Sequence, residues 1–297
     1  MLTIRRTLTA AAVVAFSFAF SSCTKDNGET DNNANLTLNI SGLEDLGNNA
    51  RYEGWIIVNG NPVSTGVFSV NASGQPSQTR FAVNQQQLHN ATAFVLTIEP
   101  YPDPSPAPSG VSILAGNFSN GNASLTINHE RALHTDFASA TGKYILATPT
   151  TATMDDERSG LWFIDMTSGT PAAGLNLPTL PSGWQYEGWA VINGKPVTTG
   201  KFSMPTGADA AAPFSGPLQG PPFPGEDFIQ NAPTGLTFPT NLAGGMSVIT
   251  VEPMPDNSPE PFMLRPLSGN IPTDATDHQT YTMNRGTSYP TGTVSRN

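Results

Sequence analysis

A chain of 297 residues with a formal charge of −10 and 12% charged residues offers no basic surface to a phosphate backbone, which excludes nucleic acid as a partner. Its 28 glycines and 27 prolines suit many short strands joined by turns and suit long helices poorly. The single cysteine excludes an intramolecular disulfide framework and a multi-cysteine zinc site.

Arg5 and Arg6 precede an apolar run from Leu8 to Phe20 that is too short to cross a bilayer as a helix. The run ends in Ser21-Ser22-Cys23, the order of a secretory signal peptide over residues 1–22. The segment resembles a bacterial lipoprotein signal, although Phe20 stands where such signals usually carry leucine. That resemblance implies lipidation of Cys23 and a membrane-anchored protein of the cell envelope, facing periplasm or cell surface. An ordinary cleaved signal with an incidental cysteine is the alternative. Residues 23–35 are polar, acidic and free of aromatics after the cysteine, and read as a flexible tether.

The rest of the chain is organised by an internal repeat. Tyr52-Glu53-Gly54-Trp55 recurs as Tyr186-Glu187-Gly188-Trp189, and the match runs on from Asn59-Gly60 to Phe68-Ser69 and from Asn193-Gly194 to Phe202-Ser203. Thr97-Ile98-Glu99-Pro100 recurs as Thr250-Val251-Glu252-Pro253. Asp103 and Asp256 follow at the same spacing. The second copy carries extra residues between its two blocks. Domains are expected at 36–140 and 141–297, with a proline-, glycine- and phenylalanine-rich insertion at 205–241. Lys143 to Ala147 either closes the first domain or opens the second.

In chain order, Leu36 to Ile40 reads as the first strand. In Tyr52 to Val58, Tyr52, Gly54, Ile56 and Val58 share one face, and Glu53, Trp55 and Ile57 the other. Asn59-Gly60 supplies the positive φ angles of a tight hairpin, with Pro62 to Val70 returning. Asn84 to His89 is the one convincing helix. Phe94, Leu96 and Ile98 form the apolar face of a strand that Pro100 ends. Ser124 to Asn128, Lys143 to Ala147 and Leu161 to Ile164 complete the set. Short strands at this spacing predict an all-β chain of two immunoglobulin-like β-sandwiches in tandem.

The run Leu177 to Gly183, followed by Tyr186 to Phe202, resembles the extracytoplasmic domain of anti-sigma-K factors. The Thr-x-Glu-Pro strands with their proline-rich loops, Thr97 to Pro108 and Thr250 to Pro261, resemble the second signature of that family. The resemblance implies a β-sandwich outside the cytoplasmic membrane. The chain has no sigma-binding cytoplasmic segment matching that family and lacks the Gly-Gly pair after Glu-Pro, so fold carries over better than activity.

Tyr52, Glu53, Trp55 and Glu99, with Tyr186, Glu187, Trp189 and Glu252, are the repeated motif residues. Their carboxylates suit acid–base chemistry or cation binding, or simply hydrogen bonding to nearby amides. The second use is the simpler one, because both copies keep them. His129 and His134 are five apart and cannot share one helix face as a zinc motif requires. No nucleophile elbow, phosphate loop or dinucleotide fingerprint is present. Neither an enzyme nor a cofactor or metal is expected. Phe214, Phe223, Phe228 and Phe238 of the insertion are the expected binding anchors, on the premise that they stand exposed for an envelope protein partner. The rival readings are a spacer lipoprotein, with those rings packed inside, and a carboxylate enzyme with a cleft where Glu53, Glu99 or their counterparts converge.

Overall fold

The computed structural model describes residues 32–153, 156–256 and 258–296. The expected signal peptide, Cys23 and most of the expected tether lie outside the described residues. Structure begins earlier than Leu36, because β1 runs from Asn33 to Ser41.

The first half continues with β2 (Ala50–Val58), β3 (Asn61–Phe68), β4 (Arg80–Asn84), helix α1 (Gln85–Asn90), β5 (Ala91–Pro100), β6 (Ser112–Asn117) and β7 (Asn122–Thr126). Local signals account for most of these. Asn59 and Gly60 hold φ angles of 51° and 81°, the hairpin geometry for which Asn-Gly is suited. Asn84 caps α1 by accepting from the amides of Gln86 and Gln87, the usual role of asparagine at that position. Residues 128–134, which hold both histidines of the rejected zinc motif, form turns.

The second half contains β8 (Thr141–Leu146), β9 (Gly160–Trp162), β10 (Ile164–Asp165), β11 (Ala172–Ala173), β12 (Leu175–Asn176), β13 (Trp184–Ile192), β14 (Lys195–Phe202), β15 (Gly225–Asp227), β16 (Met246–Pro253), β17 (Leu267–Asn270), β18 (Tyr281–Arg285) and β19 (Thr291–Arg296).

These strands do not form sandwiches. One sheet has the order β3-β2-β5-β6-β7-β19-β1-β4, and the other β14-β13-β16-β17-β18-β8-β9-β15. Each curls until its ends meet, β3 against β4 and β14 against β15, giving two nearly closed barrels in place of the expected immunoglobulin-like layers. Bulges explain the curl. The ladder slips between Gly54 and Trp55, and again between Gly188 and Trp189. At each bulge the glycine is a steric necessity. A Cβ on Gly54 would lie 2.5 Å from Thr65 Oγ1, and one on Gly188 would lie 2.1 Å from Thr199 Oγ1. Inside, Tyr52 stacks on Phe68 and Tyr186 on Phe202, at centroid distances of 5.6 and 5.7 Å. The apolar interiors of both barrels join in one cluster.

The two sheets trade one strand. β8 follows β7 in sequence, yet it pairs with β18 and β9. β19 follows β18, yet it pairs with β7 and β1. In the two strand orders β8 and β19 hold equivalent places, so each barrel is closed by the strand that follows the other. Lys143 to Ala147 therefore opens the second half, and the expected second domain at 141–297 gives up its last strand to the first. Specific contacts fix the exchange. Tyr144 of β8 stacks on Tyr281 at 5.5 Å. At the other end, the Arg296 guanidinium donates to the carbonyls of Leu88, His89 and Ala91 and lies over the Phe118 ring at 4.1 Å.

Candidate functional site

The motif residues build the same chain of hydrogen bonds in each barrel. On neighbouring antiparallel strands, Glu53 faces Thr97 and Glu187 faces Thr250. Residues two apart on a strand share a face, so Glu53, Trp55, Thr97 and Glu99 gather outside the first barrel, and Glu187, Trp189, Thr250 and Glu252 outside the second. The Trp55 indole donates to Thr97 Oγ1 at 2.8 Å, and the Thr97 hydroxyl donates to Glu99 Oε1. The Ser109 amide completes the Glu99 carboxylate, at 2.9 and 3.0 Å to its two oxygens. In the second barrel Trp189 donates to Thr250 at 2.8 Å. Thr250 in turn donates to Glu252 Oε1, and the Phe262 amide reaches the same oxygen at 2.9 Å. Ser64 donates to Glu53 as Thr198 does to Glu187. Such bonds are what allow carboxylates to sit buried.

Where the two Thr-x-Glu-Pro strands end, the barrels enclose a cleft of about 650 Å³. The first barrel contributes the β1–β2 connection from Glu44 to Asn49, the strand end Ile98-Glu99-Pro100, and Ser109 and Val111. The second contributes Glu252 to Asp256, Ser258 and Phe262. The two backbones touch beside it, since a Cβ on Gly183 would lie 2.4 Å from the Gly110 carbonyl oxygen. Glu99 and Glu252 thus share one cleft, while Glu53 and Glu187 are not among its lining residues.

Burial pushes Glu252 up to about 7, against the lowering pull of its Thr250 and Phe262 hydrogen bonds. Glu44 is pushed up to about 7 by burial and then by the Glu252 charge, with Arg265 opposing. Burial does the same to Glu187. Among the described residues, Glu187, Glu252 and Asp256 bring carboxylate oxygens within 4.8 Å of one another. That is the spacing of a cation site, but a cation is already present: Lys201 Nζ lies 2.8 Å from Asp256 Oδ2 and 3.9 Å from Glu187 Oε2.

The insertion departs from its expected exposure. Phe228 is fully buried and lies 5.9 Å from Phe214 and 5.5 Å from Phe238 between centroids. Phe214 and Phe238 pack on the main core, and Phe223 packs beside Trp162. The four rings are not exposed anchors. Burying one phenylalanine contributes roughly 1.5–3 kcal/mol, which a proline-rich segment with strand β15 at its centre can realise against β9. Buried acids pin it. Asp227 accepts from Trp162 Nε1 at 2.6 Å and from the Thr150 amide at 2.8 Å. Ser215 donates to Glu226, and Asp209 accepts from the Gly225 amide at 2.9 Å. Sequence reasoning missed these acids, as it missed Lys201 and Glu44. For the first three the signal was present, since they are the only charged residues of residues 205–241.

Residues 28–112 match the family of the anti-sigma-K factor rskA C-terminal domain. The match spans β1 to β5 and reaches the first residue of β6, under a third of the chain. It makes that stretch similar to the family. No curated protein and no solved structure matches the chain. Among the described residues no helix is long and apolar enough to cross a membrane.

Proposed function

We propose that the chain is a lipid-anchored, non-catalytic binding or sensing module of the cell envelope, related in both halves to the anti-sigma-K extracytoplasmic domain and linked to anti-sigma-type signalling through a separate membrane partner. The observation that carries the reading is the cleft, where the strand ends carrying the repeated Glu-Pro motif meet from both barrels. A cavity of this size falls within the range of small-ligand sites. The likeness of residues 28–112 to the anti-sigma-K domain supports the signalling side, as fold-level analogy. The non-catalytic reading is supported by the engagement of Glu53, Glu99, Glu187 and Glu252 with hydroxyl and amide donors of their own barrel. A spacer role has one specific observation in its favour, the packed phenylalanines of the insertion.

Two measurements test the proposal. Cys23→Ala should move the protein from the membrane to the soluble fraction, and retention in the membrane would remove the lipid anchor from the reading. A photo-crosslinking residue at Asn48, on the cleft rim, should capture a specific envelope component that the same residue at Asn120, on the β6–β7 turn, does not. Equal background at both positions would favour the spacer.

A further inference from the structure

Resting on that binding reading, we propose that the cleft takes a linear polyamine, with its ammonium groups held by carboxylates from both barrels and its methylenes on the apolar wall between the prolines. Glu44, Asp45, Glu99, Glu252 and Asp256 line the cleft, and among the described residues no lysine, arginine or histidine does. Anions are repelled by such a wall. Ile98, Val111 and Phe262 supply hydrocarbon surface beside the acids, which a bare inorganic cation cannot use and an alkyl chain can.

The molecule carries its own precedent for the recognition. In the second barrel an ammonium on a methylene stem already answers this acid set, with Lys201 Nζ 2.8 Å from Asp256 Oδ2. The matching position of the first barrel is Val67, half exposed. Glu53, Glu99 and Asp103 make no ion pair among the described residues. The first barrel therefore repeats the carboxylates without the amine. Of the cleft acids Asp256 is paired with Lys201, whereas Glu44, Asp45, Glu99 and Glu252 make no ion pair among the described residues and are left to an amine from outside. A calcium ion fits less well, because it asks for six to eight oxygen ligands. Glu252 Oε1 and both Glu99 oxygens are already committed to internal donors. An ammonium brings only three donors and needs fewer acceptors.

The test is calorimetric titration of the purified chain with spermidine, with magnesium at matched ionic strength and an acetylated, amidated lysine peptide as the other arms. Spermidine should bind with one-site heat, and magnesium should neither bind nor displace it. Glu44→Gln with Asp45→Asn should weaken spermidine at least tenfold in a protein that still melts cooperatively. Asn48→Arg, which places a guanidinium on an exposed rim position, should abolish binding in a folded protein. Absence of spermidine heat in the wild type, equal affinity in the rim variants, or displacement by magnesium overturns the proposal. Tighter binding of the lysine peptide than of spermidine overturns the small-ligand form. Capture of an envelope component at Asn48 without spermidine binding sinks the ligand class and leaves the binding module standing.

Discussion

In the first barrel position 67 is valine and half exposed; in the second the matching position 201 is lysine, with its ammonium among three buried carboxylates. Around that difference almost everything is kept: the indole to threonine bond, the threonine to glutamate bond, the bulge glycine, the stacked tyrosine and phenylalanine. Even the tyrosine hydroxyls reach matching carbonyls, Tyr52 to Glu44 at 3.0 Å and Tyr186 to Pro178 at 2.6 Å. The comparison separates two kinds of conserved-looking acid. The glutamates are held by neutral donors and serve the fold in both barrels. What answers their charge is free to vary, and only the second barrel supplies it internally.

The comparison breaks most completely if β19 is removed. A chain ending at Pro290 leaves β7 and β1 with unpaired edges in the first barrel and leaves the second strand order intact. Limited proteolysis should then cut within residues 33–126 and spare 141–285. Equal resistance of both halves would show that the exchange is dispensable. Next in size are the bulge glycines. Gly54→Ala and Gly188→Ala should each cost about 2–4 kcal/mol in urea unfolding, as overpacking with backbone shift does. A cost under about 1 kcal/mol at either position would mean that the bulge relaxes easily.

The charge difference is tested by exchange. Lys201→Met strips the ammonium from the buried acids and should cost about 1–3 kcal/mol at pH 8, much less at pH 5. Val67→Lys in the first barrel should be neutral or stabilise by up to about 1 kcal/mol. If both substitutions are silent, position 201 does not distinguish the barrels. The same acids also make the whole protein sensitive to pH. Glu44, Glu187, Glu226 and Glu252 are raised from 4.5, and Asp209 from 3.8, all to about 7 and chiefly by burial. Between about pH 4.5 and pH 7 the folded state keeps protons that the unfolded chain has released, so stability falls as pH rises through that window. Asp165, held down to about 2 by its Lys143 hydrogen bond, titrates below it. The melting temperature should be higher at pH 5 than at pH 8 by several degrees, and a flat profile would mean that the acids ionise freely in the folded protein.

Elements set by local chemistry were legible in the sequence. Asn59-Gly60, the alternation from Tyr52 to Val58, the Asn84 cap and the Pro100 stop each act over a few residues. The barrel closure was not, because it depends on which distant edge a strand meets. Nothing within Thr141 to Leu146 says that it pairs with β18 instead of β7, and the Arg296 contacts that hold β19 lie some two hundred residues from their partners in sequence. The exposure of the insertion was misjudged because proline and glycine suggested an open loop, whereas Phe214, Phe228 and Phe238 find one another against the core and Phe223 packs beside Trp162. Glu99 and Glu252 were visible as repeated strand ends. Their meeting in one cleft follows from how the barrels pack, which no spacing encodes. Lys201 was readable only as an interruption, a lysine facing a valine between otherwise matching acids.

The traded strands also set an order of assembly. During synthesis the first barrel's leading strands emerge early, yet that barrel lacks its closing strand until residue 296 has followed. The second barrel has all of its strands once residue 285 is out. The half whose first strand comes soonest is the last to be sealed, and any chain cut short before β19 presents an open sheet edge, the feature on which strands of other molecules add.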